Sequence, residues 1–142
     1  MQKELLVKRL GKEAKLPSYA HEGDAGMDLY SAEEKNILPG EIERIKTGIM
    51  VEIPEGFVGM IKDKSGLALQ GIHCLAGVID SCYRGEIEIL TINHGKQEFE
   101  IKKGEKIAQM VLQPFAKAKV MEAVELSETK RGRKGFGSTG ME

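Results

Sequence analysis

The stretch Gly77 to Ile87, GVIDSCYRGEI, sets an acid, Asp80, at the end of an apolar run and an aromatic ring, Tyr83, three residues later. A carboxylate in that place can orient and deprotonate a water, which is general-base work. Tyr-Arg-Gly then leads back into a strand, so the segment reads as a hairpin presenting an acid and a ring. The same residues suit a plain turn, with the Asp and Gly serving its geometry and Tyr83 packed on the sheet. A second acid, Asp28, stands in DAGMDLYS (Asp24 to Ser31), where a glycine ahead of an acid also describes a turn closed by an Asx hydrogen bond. KDKSGLAL (Lys62 to Leu69) places a Ser-Gly step at a helix start. A hydroxyl, unpaired N–H groups and a positive dipole end suit a phosphate oxygen there, and an ordinary N-cap at Ser65 fits as well. GEKIAQM (Gly104 to Met110) contributes Gln109 among apolar neighbours, either as a core hydrogen-bonding group or facing a ligand.

The most basic, glycine-rich stretch is KRGRKGFGSTG, Lys130 to Gly140, with only Met141 and Glu142 after it. It lacks GxxxxGK[ST]. Its glycines, Gly132, Gly135 and Gly137, run in the reverse spacing of GxGxxG and follow no βαβ strand. Arginine can grip phosphate in a fork, backbone amides can form an anion nest, and Phe136 can stack on a base. With no helix to complete a cradle, the segment reads as a flap that closes over something held elsewhere. KRGRK also fits a disordered basic tail or an RNA-binding patch.

These groups need a scaffold, and the rest of the chain describes one. Turn signals recur at Pro39-Gly40, Pro54-Glu55-Gly56, His94-Gly95 and Lys103-Gly104, with short Ile- and Val-rich runs between them. EIEILTI (Glu86 to Ile92) puts Ile87, Ile89 and Thr91 on one side at period 2. KSGLALQ predicts a short helix. GEKIAQMVLQP has helix-favouring residues, but its length and Pro114 favour a strand. The fold expected is all-β, a sandwich or closed barrel. One domain of 142 residues can bury a core, and a net charge of −1 argues against a general nucleic-acid binder. No apolar run is long enough to span a membrane. MQKELLVKRL lacks signal-peptide features, and the two cysteines show no CxxC spacing. A reducing, cytoplasmic setting is expected, with Cys74 and Cys82 as thiols and His21, His73 and His94 structural or exposed.

AGMDL, SGLA, GVID…YRGE, GEKIAQM and RG…GFGSTG occur in one order over almost the whole chain. In that order and spacing they resemble the five motifs of the trimeric dUTP diphosphatases, the dUTPases. The resemblance implies a distorted jelly-roll sandwich or barrel over residues 1–126, assembled as a homotrimer. Residues 127–142 would form a flexible arm closing over a neighbouring subunit's site. It implies Mg2+-dependent hydrolysis of dUTP to dUMP and diphosphate, supplying dUMP for thymidylate synthesis and keeping uracil out of DNA. By motif, Asp28 would hold a water of the magnesium shell, and Lys64, Ser65, Gly66 and Gln109 would contact phosphate. Asp80 would position the water attacking the α-phosphorus. Tyr83 would pack beneath the deoxyribose and exclude a 2′-hydroxyl. Backbone groups around Cys74, Gly77, Val78 and Ile79 would pair with the uracil edge. In the arm, Arg131 would reach the γ-phosphate, Phe136 would cover the base, and Gly137, Ser138 and Thr139 would line the phosphate chain. The expected partners are dUTP and the chain itself, with no nucleic acid and no membrane.

The chain departs from the family pattern at three places. Asp63-Lys64-Ser65 stands where Pro-Arg-Ser is common, and lysine keeps the charge but loses the bidentate fork. Cys82 stands where a second acid often precedes the tyrosine, and Lys134 where a glycine is frequent. The alternative readings are a dCTP deaminase-like enzyme, separated by ammonia release, and a non-catalytic nucleotide-binding member of the same fold.

Overall fold

The computed structural model describes residues 2–142. In chain order its elements are β1 (Leu6–Arg9), β2 (Gly26–Tyr30), β3 (Lys35–Ile37), β4 (Ile42–Glu52), β5 (Phe57–Lys62), α1 (Ser65–Leu69), β6 (Ile72–Cys74), β7 (Val78–Ile79), β8 (Glu86–Asn93), β9 (Phe99–Ile101) and β10 (Lys106–Pro114). One sheet has the order β1-β4-β8-β6, a second β2-β10-β5-β7, and β3 pairs with β9. The class is all-β, as the turn spacing predicts. Neither four-stranded sheet closes on itself, so the chain forms an open sandwich and not the barrel form of the expectation.

The alternation in β8 is what joins the two sheets. Ile87, Ile89, Thr91 and Asn93 point inward and are buried, with Ile89 opposite Ile45 of β4. They meet Met27 and Leu29 of β2, Ile61 of β5 and Met110 of β10 in one apolar cluster. Burial of polar groups in that cluster costs little because each finds a partner. Thr47 Oγ1 donates to Ile87 O at 2.5 Å, and Asn93 Nδ2 donates to Ile37 O and Gln97 O, both at 2.8 Å.

β10 is a strand despite its helix-favouring residues. It fills the slot between β2 and β5, where tertiary pairing overrides a weak local preference. Its register against β2 slips between Lys106 and Ala108, a bulge that lets Ile107 and Ala108 both face the core. Beyond the bulge the alternation resumes, and Gln109 stands opposite Asp28 on one side and Lys62 of β5 on the other. Met27 and Leu29 turn into the core, so Asp28, Gln109 and Lys62 form a row on the opposite face.

Residues 77–87 do not form the expected hairpin of mutually paired strands. β7 pairs with β5 in one sheet, and β8 lies between β4 and β6 in the other. The segment crosses between the layers, because Ile79 is drawn against Gly59 while Ile87 enters the opposite side of the core.

The Phe115 N–H donates to Gly56 O at 3.1 Å, and beyond it the backbone hydrogen bonds among the described residues are local turns. Residues 113–142 are exposed throughout, Gln113 and Pro114 while still paired in β10. Val120, Val124 and Leu126 are left uncovered, at 94%, 103% and 88% exposure.

Candidate active site

Asp28 is held in the middle of β2 and only 2% exposed, the one charged side chain among the buried polar groups of the described residues. Lys64 Nζ donates to its Oδ1 at 2.5 Å, and Lys106 Nζ lies 2.9 Å from its Oδ2. Lys106 is not aligned for a directional bond, which leaves Oδ2 buried with a counter-ion but no hydrogen bond. Burial pushes the Asp28 carboxyl up. The two ammonium groups outweigh it, so the group titrates below the ordinary 3.8. In turn Asp28 pushes Lys106 up.

A depressed carboxyl stabilises the fold above its ordinary value of 3.8, and that contribution fades as pH falls through the lowered one. Asp28→Asn is therefore expected to lower stability by about 1.5–3 kcal/mol at pH 7. The two lysines are partly exposed and can rehydrate, which keeps the loss at that level. Urea midpoints of the variant and parent, measured from pH 7 downward, should converge only in the acid range below the carboxyl's ordinary value.

The row continues through Gln109. Its Nε2 donates to the carbonyl of Asp63 at 2.7 Å, so in this state it acts as an internal hydrogen-bonding group. Its carboxamide fills the space above Gly26, where a Cβ would collide with Oε1 and Cδ. Gly26→Ala is expected to displace Gln109 and destabilise by about 1–3 kcal/mol, read as a lower urea midpoint.

Ser65 does not cap the helix. Lys64 occupies the N-cap position, with φ −84° and ψ 129°, and its ammonium, which has no lone pair to accept a backbone N–H, reaches to Asp28 instead. Ser65 and Gly66 sit exposed in the first turn of α1.

The second group surrounds the sheet crossing. Val78, Ile79, Asp80 and Tyr83 line a cleft of ≈ 260 Å³ together with Arg44, Glu86, Glu88 and Leu90. Asp80 is exposed, and its carboxylate makes no hydrogen bond or ion pair among the described residues. Tyr83 is fixed by its hydroxyl, which donates to Glu86 O at 2.9 Å, and by its ring, which lies where a Cβ on residue 85 would be. Ahead of this cleft, Ala76 and Gly77 both have positive φ, 56° and 95°. Their N–H groups take no partner among the described residues. A Cβ on Gly77 would lie 2.9 Å from Ile61 O, so this close approach requires glycine.

Along β5, Ile61 N donates to Gly77 O at 2.8 Å, one residue from Lys62 of the Asp28 row. β5 thus carries both groups. Arg131, Phe136, Gly137, Ser138 and Thr139 join neither; all are exposed, and Arg131 Nε donates only to Lys134 O at 2.8 Å.

Two residues that the motif reading passed over take part. Lys106 lies within GEKIAQM, yet its approach to Asp28 follows from the bulge, which periodicity alone does not reveal. Asp63 sits between two lysines and accepts His73 Nδ1 and Cys74 N–H, each at 2.6 Å. Cys74 N–H is thereby engaged and is not open to a base. Both cysteines are free thiols.

The dUTPase family model matches residues 12–140. The chain belongs to the dUTPase family. It is 56% identical over 140 residues to a deoxyuridine 5'-triphosphate nucleotidohydrolase of Clostridium kluyveri, covering 96% of this chain and 98% of the relative. Among solved structures it superposes on a dUTPase of Staphylococcus bacteriophage 80alpha with dUpNHpp at TM-score 0.91 and 33% identity, covering 98% of this chain and 99% of the other. It also superposes on a mutant dUTPase from phage phi11 of S. aureus at TM-score 0.81 and 29% identity, covering 87% of this chain and 98% of that one. As a dUTPase, the chain is a nucleotide hydrolase.

Proposed function

We propose that this dUTPase cleaves dUTP to dUMP and diphosphate through a water that Asp80 deprotonates and aims at the α-phosphorus. The observation that carries this role is the unengaged Asp80 carboxylate at a cleft shared with Tyr83. The new P–O bond forms in line with departure of the diphosphate oxygen, and positioning with charge stabilisation supplies most of the acceleration. Tyr83, locked by Glu86 O, offers a fixed ring for the deoxyribose, with no room for a 2′-hydroxyl. The free N–H groups of Ala76 and Gly77 suit acceptor oxygens on a uracil edge. Lys64, Ser65, Gly66 and Gln109 would meet the phosphates, and Lys64 would exchange its bond to Asp28 for one to the substrate.

Among the described residues, no three His, Cys, Asp or Glu side chains gather as a ligand set. That donor set fits a cation carried by the substrate's own phosphates, which keeps most of its waters, as Mg2+ does. Asp28, with its under-satisfied Oδ2, would accept from one of those waters. When bound, the cation would neutralise charge on the phosphate oxygens. The phi11 structure is described as revealing the coordination of a structural Mg(II) ion.

The exposed residues 116–142, which include an anion-binding sequence, support an arm that works on another chain. Covering Val120, Val124 and Leu126 requires a partner surface, and a homotrimer supplies one. Among the described residues no helix is long and apolar enough to cross a membrane, and a cytoplasmic setting agrees with the two free thiols. The deciding assay is diphosphate release from dUTP, dCTP, dTTP and UTP, with and without Mg2+. Selective release from dUTP with Mg2+ supports the reading; ammonia from dCTP contradicts it.

A further inference from the structure

β5 ends at Lys62, and the next two residues turn to different layers of the sandwich. Lys64 reaches back to Asp28 of β2, while Asp63 points the other way to β6 in the opposite sheet. Asp63 is half-buried, and each part of it is engaged. Its Oδ2 is 2.6 Å from His73 Nδ1, its Oδ1 accepts Cys74 N–H at 2.6 Å, and its carbonyl accepts Gln109 Nε2 at 2.7 Å. A carboxylate at that separation accepts, so the His73 ring carries a proton on Nδ1. The same residue therefore binds three strands: it follows β5, grips β6 through its side chain and holds β10 through its carbonyl.

The two segments it joins are those the proposed function needs. Cys74 opens the stretch that carries the free N–H groups of Ala76 and Gly77, and Lys64 opens the turn that carries Ser65 and Gly66. Ala76, a non-glycine residue at positive φ, stores strain that persists only where its flanks are pinned. Leu75 N–H, donating to Leu90 O at 2.8 Å, pins one side, and Ile61 N–H on Gly77 O pins the other. Asp63 secures the residue just before them.

We propose that Asp63, with His73 as its partner, is a positioning residue that fixes the base-facing segment 74–77 and the phosphate-facing turn 64–66 relative to one another. The assignment rests on the functional reading above, and it holds whether the two segments serve one site or two neighbouring ones. A carboxylate suits the task because its two oxygens can serve a ring N–H and a backbone N–H at once. Short, charge-assisted bonds are stiffer than neutral ones.

A chemical signature accompanies the clamp. Burial pushes the Cys74 thiol up, and its bond to the Asp63 anion and that anion's charge add to it, to about 12. Locked in this way, Cys74 is a poor nucleophile at neutral pH.

The test compares the full chain with Asp63→Ala, Asp63→Asn and His73→Gln. Steady-state kinetics with Mg2+ and dUTP are normalised to the folded fraction. A parallel set in a Cys82→Ser background reports the rate of Cys74 modification by a disulfide reagent. Asp63→Ala is expected to lower kcat/KM at least about tenfold, mostly through KM, since misplaced segments weaken positioning. Asp63→Asn, which keeps the acceptor for Cys74 N–H, should recover most of that loss. His73→Gln should fall between, and Cys74 should react at least about tenfold faster in Asp63→Ala. Unchanged kinetics in the folded fraction of Asp63→Ala, or of Asp63→Asn and His73→Gln together if the alanine variant does not fold, would overturn the proposal. Equal labelling rates in all variants would overturn it as well. If the parent chain releases no diphosphate from dUTP, the functional reading fails while the labelling arm still tests the clamp.

Discussion

Asp80→Asn is expected to lower turnover of dUTP by about 10²–10⁴-fold, the usual loss when a positioned general base is removed. The amide keeps the shape and can still hold a water, but it cannot take the water's proton. Binding should persist, so KM and the affinity for a non-hydrolysable analogue should change little. Stability should also persist. The Asp80 carboxylate is exposed and makes no hydrogen bond or ion pair among the described residues, and such surface changes stay within about 0.5 kcal/mol. Asp28 offers the contrast: it is buried between two lysines, and its asparagine variant is expected to lose stability. Single-turnover rates alongside urea midpoints separate the two acids. Full turnover in a folded Asp80→Asn protein would remove Asp80 from the role.

Removal of residues 130–142 is expected to lower kcat/KM by about 10²–10³-fold, comparable to the loss of preorganised donors around a reacting phosphate. The segment takes away Arg131, Phe136, Gly137, Ser138 and Thr139 together. Among the described residues, nothing beyond Phe115 donates a backbone hydrogen bond to the body, so the shortened chain should melt where the parent does. The residues from 116 to 129 remain, including the uncovered Val120, Val124 and Leu126, and assembly should survive. Thermal midpoint, sedimentation and diphosphate release, measured on one preparation, would show activity lost with the other two retained. An unchanged kcat/KM would mean that the arm does no work at the site.

How much of this was legible in the sequence differs by element. β8 announced itself because its face alternates and its inward residues are all needed in the core. The short helix at KSGLALQ was equally visible. β10 was readable only through length and Pro114, since its residues favour a helix and the slot between β2 and β5 decides otherwise. The pairing of 77–87 was not legible. Local turn chemistry suggests a hairpin, whereas long-range packing draws Ile79 and Ile87 to different sheets.

The motif reading named Asp28, Lys64, Gln109, Asp80 and Tyr83 as site residues. It did not reveal that Lys64 rests on Asp28, nor that Lys106 reaches the same carboxylate past a bulge. Asp63 left no trace as an anchor. Its partners lie ten and eleven residues away on another sheet, and they are brought near only by the chain's passage through α1. Backbone groups around Cys74 were expected to face a base, and the Cys74 N–H itself is engaged by Asp63. The arm's sequence suggested an anion-binding flap or a basic tail, and residues 116–142 are exposed.

The central claim is that the carboxylate of one chain works with the arm of another. Co-expression of full-length Asp80→Asn with a chain lacking residues 130–142 tests it most directly, because each variant alone is expected to be nearly inactive. In randomly mixed trimers, each site would draw an intact Asp80 half the time and an intact arm half the time, independently, so about a quarter of parental activity should return. If purified mixed oligomers show only the residual activity of the two variants, each arm serves its own chain's carboxylate, and the shared site is wrong.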